Sequence, residues 1–388
     1  DYAGGRSMLA VTEQGFLVVA APREDATVRI FALDIDEDAE FELDSDLSPV
    51  MGDWRNYPMT VARRLARNFP DSDRGADIAF ASTIPIAAGM SSSSALMIGI
   101  YQVLASINDL AKRERYQANI QSQEQLAEYL GTIENGQTFG TLAGDCGVGT
   151  FGGSEDHTAI LCCQAGTLSQ YRYCPTQFEQ RFVLPDGYLF AIAASGVIAD
   201  KTGSARDLYN RASALAAEVT AVWNRATGHQ DAHMAAMIER CQGDPQPIQA
   251  VLEKAGDSHF APEELLRRFR HFFQENEEFI PAAAAALSCN DLAAFSDVAN
   301  RSQLEGVRLL GNQNDETIAL TSMALDQGAL AASAFGAGFG GSVWALAAAD
   351  EIDALLDAWR HDYVARFPQH RAAACFFKSR PGPAAMAL

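Results

Sequence analysis

Positive charge is scarce in this chain. Its 388 residues carry 29 Lys and Arg against 50 Asp and Glu, a formal net charge of −21. A surface that acidic disfavours nucleic acid and anionic membrane as partners, because both require basic faces. A Walker phosphate loop is also missing: no Gly-x-x-x-x-Gly-Lys-Ser/Thr occurs. The longest apolar stretches contain Gly and Ser and fall short of the ~18 residues that a membrane span needs. No paired Cys-x-x-Cys occurs, so Cys146, His157 and Cys162 lack the spacing of a zinc site. The seven cysteines are odd in number and follow no framework, and vicinal Cys162-Cys163 do not suit a structural disulfide. A reduced, cytoplasmic setting is expected. No signal peptide opens the chain, which starts at Asp1 as if inside a motif.

Hydrophobic residues make up 48%, enough for a proper core, and the length implies two domains or one large one. The most informative stretch is Pro85 to Leu96, with four consecutive serines, Ser91 to Ser94. A strand-like run (Ile78 to Ile84) enters it and an apolar helical pattern (Ala95 to Leu110) leaves it. Small side chains allow backbone N–H groups to approach an anion, and a helix start adds its dipole. Read alone, the serines serve equally well as a turn with an N-cap or as a phosphate cradle. The Pro-x-x-x-Gly lead-in and the apolar helix favour the cradle. Because so acidic a chain repels free ATP, such a site would need local Mg2+, helix dipoles or a buried cation.

Along the rest of the chain, residues 15–33 read as a hairpin and Met59 to Asn68 as a helix. A helix over Glu124 to Gly131 is expected to end on Gly131 as its C-cap. Residues 134–157 read as a long loop rich in Gly, Thr and Asp. Ala159 to Cys163 and Leu168 to Tyr173 alternate like strands. A fresh strand at Gly187 to Ser195 places a domain boundary near residue 185. Asp207 to Thr227, Pro262 to Leu287 and Asp291 to Glu305 read as helices. Leu330 to Leu346 reads as a strand, a glycine loop and then a strand or helix, and Ala372 to Lys378 as a closing strand. The order is α+β rather than a regular βαβ alternation. In Phe335 to Ser342 the glycines follow Gly-x-Gly-x-Gly-Gly, which is not a dinucleotide fingerprint.

In combination these motifs resemble the GHMP small-molecule kinases, and within them the galactokinases. Pro85 to Ala95 resembles the family's phosphate loop Pro-x-x-x-Gly-Leu-Ser-Ser-Ser, with Met90 in place of Leu. Asp1-Tyr2-Ala3-Gly4-Gly5 resembles the end of the galactokinase signature, Trp54-Arg55-Asn56-Tyr57 its Trp-x-Asn-Tyr element, and Phe335 to Ser342 the third family motif. Glu275-Asn276-Glu277 adds weaker agreement. The resemblance spans nearly the whole chain. It implies a two-domain GHMP fold: an N-terminal domain like ribosomal protein S5 domain 2 over residues 1–185, and a ferredoxin-like C-terminal domain over 186–388.

The resemblance implies an ATP-dependent sugar 1-kinase using Mg2+, with a sugar and ATP as small-molecule partners, in a monomer or weak homodimer. Asp156 matches the aspartate that faces the anomeric hydroxyl, although His157 stands where Gln is usual. Asp1, Tyr209, Gly336 and Gly338 fall on the sugar side. Gly89, Ser91, Ser92, Ser93 and Trp54 fall on the nucleotide side. Ser92 or Ser93, with Glu134, would hold Mg2+; Asp145 competes with Glu134 because about ten extra residues precede Asp156. Lys201 or Arg206 would suit a uronate, and Gly152 to His157 somewhat resembles an element of heptose kinases. The remaining rival is a non-catalytic sugar sensor on the same fold. Retention of the serines and of Asp156 argues for catalysis.

Overall fold

A computed structural model of the chain describes residues 1–50, 52–85, 88–197, 206–336, 338 and 340–388. In chain order its strands are β1 (Arg6–Leu9), β2 (Phe16–Pro22), β3 (Thr27–Ala32), β4 (Glu37–Glu42), β5 (Ala76–Ser82), β6 (Thr167–Arg172), β7 (Gln177–Val183), β8 (Tyr188–Ala194), β9 (Ala331–Ala334), β10 (Ser342–Ala348) and β11 (Cys375–Ser379). They form sheets ordered β2-β5-β3-β4, β1-β6-β7 and β11-β8-β10-β9.

Residues 15–33 do not form the expected hairpin. β5 inserts between β2 and β3, antiparallel to the first and parallel to the second. The physical reason lies at Gly75. Its N–H donates to the Asp25 carbonyl and its own carbonyl accepts from Arg23 N–H, so β5 enters by occupying the turn's hydrogen bonds. A side chain at Gly75 would place Cβ 1.9 Å from the Thr27 carbonyl oxygen, so only glycine fits. The hairpin that does form is β3–β4.

The inner face of this sheet presents Val28, Ile30, Ala39, Phe41, Ile78 and Phe80 to the helices Asn56–Asn68, Ser92–Ile107 and Gln123–Asn135. The Ser92–Ile107 helix is apolar almost all round and buries Leu96, Met97, Ile98, Ile100, Tyr101 and Leu104. At roughly 1.5–3 kcal/mol per fully buried large side chain, that core holds the helix start rigidly beside the end of β5.

Two further expectations are corrected. Gly131 lies inside the Gln123–Asn135 helix, whose left-handed C-cap is Gly136 (φ 84°). The absent side chain at Gly131 instead lets Gly153 and Ser154 approach, since a Cβ there would sit 3.0 Å from both. Ala159 to Cys163 is not a strand: Glu155–Cys162 is a helix. Its start is held from a distance by the Asp1 carboxylate, which accepts Glu155 N–H at 3.0 Å. Glu155 and Asp156 in its first turn complement the helix dipole.

The sheet β11-β8-β10-β9 is antiparallel throughout. Numbered within itself it runs 4-1-3-2, with helices between β8 and β9 and again, at Ile352–Arg366, between β10 and β11. That is the ferredoxin-like order. Its core centres on buried Trp359, Tyr363, Leu320 and Val343. The helical run expected over Pro262 to Leu287 is present, with a π-helical stretch, Gln274–Phe279, in its middle. The seven cysteines are free thiols. No helix among the described residues is long and apolar enough to cross a membrane.

Candidate active site

β5 delivers the chain to the serine loop, where Gly89 (φ 69°) and Ser91 (φ 58°) both take left-handed backbone. Left-handed Ser91 makes no side-chain cap, and the first helical bond is Ala95 N–H to its carbonyl. The leading N–H groups of a long buried helix therefore start at a loop of small residues. Such a start is suited to an anion. Gly89, Ser91, Ser92 and Ser93 are half-buried there, whereas Ser94 is fully buried and points inward.

Ser94 is where distant parts of the sequence meet. Its hydroxyl lies 3.1 Å from Glu134 Oε2 and 3.4 Å from Asp156 Oδ2. Glu134, in the last turn of its helix, is 6% exposed. Buried His157 approaches the same Glu134 oxygen at 3.5 Å through Nε2. One hydroxyl thus lies between two carboxylates, and carboxylate and hydroxyl oxygens are the donors that a hard cation takes. The competing acid, Asp145, is otherwise engaged. It takes the guanidinium of Arg63 and lies 3.5 Å from Arg67. Burial would raise its carboxyl, but the Arg63 hydrogen bond, the Cys146 N–H and the charges of Arg63 and Arg67 together outweigh this and hold it down at about 2.

Asp1 lies against the residues just before Asp156. Its carboxylate accepts the N–H groups of Tyr2 and Glu155. A side chain at Gly153 would put Cβ 2.3 Å from Asp1 Oδ2, so Gly153 admits this carboxylate. Asp1 and Gly153 also line a cavity of about 320 Å³ with Asn135, Phe151, Cys174 and His233.

The glycine loop between β9 and β10 reaches the serine loop directly. Ser342 Oγ donates to the Ala88 carbonyl at 2.7 Å, and a Cβ on Gly341 would sit 2.6 Å from that same oxygen. Gly338 is buried against Asn312, whose carbonyl oxygen lies 2.4 Å from where its Cβ would be. Gly336 is exposed with open space around it. Tyr209 donates its hydroxyl to the Gly338 carbonyl at 3.1 Å. Trp54 donates Nε1–H to Glu37 and packs edge-on to Phe80 of β5, on the strand that enters the serine loop. Arg206 pairs with Asp207 at the start of its helix; Lys201 lies outside the described residues.

The structure brings the serine, glycine and acid-bearing segments together, and three residues that the sequence reading did not single out touch them: Ser94, Asn210 and Asn312. Ser94 was the fourth serine rather than one of the first three. Its one signal was its place inside an apolar helical pattern, where a buried hydroxyl needs partners. Asn210 and Asn312 carried no motif.

Two family models match this chain: the GHMP kinases N terminal domain over residues 56–153 and the GHMP kinases C terminal domain over residues 279–365. Galactokinase from Chloroflexus aurantiacus is 28% identical over 379 residues, covering 94% of this chain and 84% of that protein. Galactokinase from Glaesserella parasuis is 26% identical over 381 residues, covering 94% and 85%. The crystal structure of Lactococcus lactis galactokinase complexed with galactose superposes with a TM-score of 0.81 at 22% identity, over 100% of this chain and 91% of that one. That of L. major mevalonate kinase in complex with R-mevalonate gives 0.57 at 15% identity, over 99% and 91%. The chain belongs to the GHMP kinases. Within that superfamily it is galactokinase-like, an ATP-dependent kinase of the sugar-kinase branch.

Proposed function

We propose that this protein phosphorylates the anomeric hydroxyl of a hexose, with galactose as its substrate, in a cleft between residues 1–185 and 186–388. The observation that carries the reading is the meeting of three remote motifs. Glu134 and Asp156 converge on Ser94, and the glycine loop hydrogen-bonds the serine loop through Ser342. Galactokinases that match over 94% of the chain supply the sugar.

Phosphoryl transfer asks the protein for alignment and charge neutralisation. In this reading the backbone of Gly89 to Ser93 and the helix start at Ser92 hold the β- and γ-phosphates. Trp54 borders the nucleotide side. Glu134 and the hydroxyl of Ser92 fit Mg2+, because both are oxygen donors and Glu134 shares Ser94 with a second carboxylate, Asp156. When bound, Mg2+ would neutralise charge on the phosphate oxygens. Asp1 accepts sugar hydroxyls with the lone pairs left over from Tyr2 and Glu155. Tyr209, Gly336 and Gly338 frame the sugar from the second half of the chain.

Asp156 orients the anomeric O–H and takes its proton. The sugar oxygen forms a bond to the γ-phosphorus, the bond from that phosphorus to the β,γ-bridging oxygen breaks, and ADP leaves with the electron pair. Ser94 holds Asp156 beside Glu134, so the proton acceptor and the cation site share one anchor.

A coupled ADP-release assay across galactose, glucose, a heptose and a uronate tests the reading. ADP release with galactose is expected. No turnover with any sugar by protein that binds ATP would overturn the kinase reading, and turnover of the heptose or uronate alone would overturn the substrate. Asp156→Asn should lower kcat by more than about 10²-fold, since general-base help supplies roughly 10²–10⁴-fold.

A further inference from the structure

The loop that delivers Asp156 is fastened by a side chain that no motif names. Asn210 lies in the first turns of the Arg206–Thr227 helix and is half-buried. Its Oδ1 accepts the N–H of Phe151 at 3.1 Å, and its Nδ2 donates to the carbonyl of Gly149, also at 3.1 Å. One planar amide thus closes a ring with backbone groups two residues apart. Only Asn or Gln offers a donor and an acceptor side by side in this way. From Phe151 the chain runs on to Gly153, which docks on Asp1, and to Asp156, which meets Ser94.

The preceding residue grips a different loop. Tyr209 donates to the Gly338 carbonyl, and that glycine loop reaches the serine loop through Ser342. Adjacent residues of one helical turn therefore hold the loop before Asp156 and the glycine loop against the nucleotide side. Loops are the least stable parts of a fold, and their backbone groups open first unless tied down.

We propose that Asn210 is a positioning residue. Its amide locks residues 149–151 to the second half of the chain and so sets where Asp156 stands relative to the serine loop. This rests on the kinase reading for its catalytic consequence, but the lock itself is a matter of backbone protection. Misplacement of a reacting group by ~1 Å costs on the order of 10²-fold in rate, whereas substrate binding through other contacts survives.

The test pairs residue-resolved amide hydrogen exchange with steady-state kinetics on the full chain. In Asn210→Ala, exchange of the Phe151 amide should speed up by at least about 10-fold, because that N–H loses its acceptor. The same variant should lose about 10-fold or more in kcat with its KM for ATP within about twofold, the signature of lost transition-state alignment. Asn210→Asp keeps the acceptor for Phe151 but turns an oxygen towards the Gly149 carbonyl. It should retain most Phe151 protection and give an intermediate kcat. If Asn210→Ala fails to fold, Asn210→Asp decides alone: wild-type kcat overturns the proposal, and a reduced kcat at unchanged ATP KM supports it. Unchanged Phe151 exchange in a folded Asn210→Ala variant overturns the lock. If the wild type phosphorylates no sugar, the kinase reading fails while the exchange measurement still decides the lock.

Discussion

Gly336 and Gly341 belong to one loop and both have positive φ (49° and 91°), yet alanine should act very differently at the two. At Gly341 the new Cβ would lie 2.6 Å from the Ala88 carbonyl oxygen and 3.1 Å from Gly89 Cα. All of these are backbone atoms and cannot rotate aside. Gly341 is itself held, since its carbonyl accepts Ser195 N–H at 2.9 Å, and Ser342 competes for the same Ala88 oxygen. Backbone strain of about 1–3 kcal/mol and overpacking of about 1–3 kcal/mol together give roughly 2–6 kcal/mol. At Gly336 no atom of the described residues beyond its chain neighbours lies within 4 Å of the added Cβ, which leaves the strain alone. Each kcal/mol moves Tm by about 2–4 °C in a domain of 150–250 residues. Calorimetry should therefore show a clearly larger fall in Tm for Gly341→Ala than for Gly336→Ala. Because the clash pushes on the serine loop, an ATP titration should also show weakened binding for Gly341→Ala, by about 10-fold or more if ~1.4 kcal/mol of the strain is relieved by moving that loop. Equal melting of the two variants with equal ATP affinity would refute the reasoning that the two loops are packed backbone to backbone.

Three other outcomes follow from the structure. Ser94→Ala removes the hydroxyl shared by Glu134 and Asp156; a hydrogen bond to a charged group is worth about 1.5–3 kcal/mol, so kcat should fall by roughly 10- to 100-fold, read in the coupled assay. His271 is pushed down to about 3, first by burial and then by the Arg268 charge, with Glu275, itself raised by burial, 3.9 Å away. A depressed histidine leaves the unfolded chain binding more protons, so stability is full above the ordinary histidine value near 6.5 and is lost as pH falls towards about 3. His271→Gln should flatten that part of a stability-against-pH curve measured by urea unfolding. Asp145, held at about 2, works in the same direction lower down: its stabilisation is present above the ordinary carboxylate range and is lost as pH falls through it towards 2. Arg63→Met should shrink that acid-side loss, since only the Cys146 N–H and Arg67 would then hold the carboxyl down.

The elements with strong internal period were legible from sequence: the Asn56–Asn68, Arg206–Thr227 and Leu292–Glu305 helices and the strands β6, β8, β9 and β11 appear where the pattern placed them, whereas the pattern after the glycine loop allowed strand or helix and the structure makes it β10. The misreadings share one cause. β2 and β3 look like a hairpin because nothing local announces that Gly75 will enter their turn. Ala159 to Cys163 alternates like a strand, and the helix it joins starts where Glu155 N–H donates to the Asp1 carboxylate, 154 residues away. Gly131 has the composition of a C-cap but serves as a contact surface for Gly153 and Ser154. In each case a remote backbone or carboxylate overrides local preference.

The sequence by itself determined the class of site: a serine loop at a helix start, acids near residues 134 and 156, and a glycine loop, in an order that resembles one kinase superfamily. That much was legible because anion binding by backbone needs small residues at set spacings, and spacing is a property of the chain. Only the tertiary structure decided which hydroxyl joins Glu134 to Asp156, that Asp145 is engaged by arginines, and that Tyr209 and Asn210 fasten the loops. Those assignments depend on distances of about 3 Å between residues as many as 129 positions apart, and hydrogen bonds of that length are set by packing rather than by order along the chain.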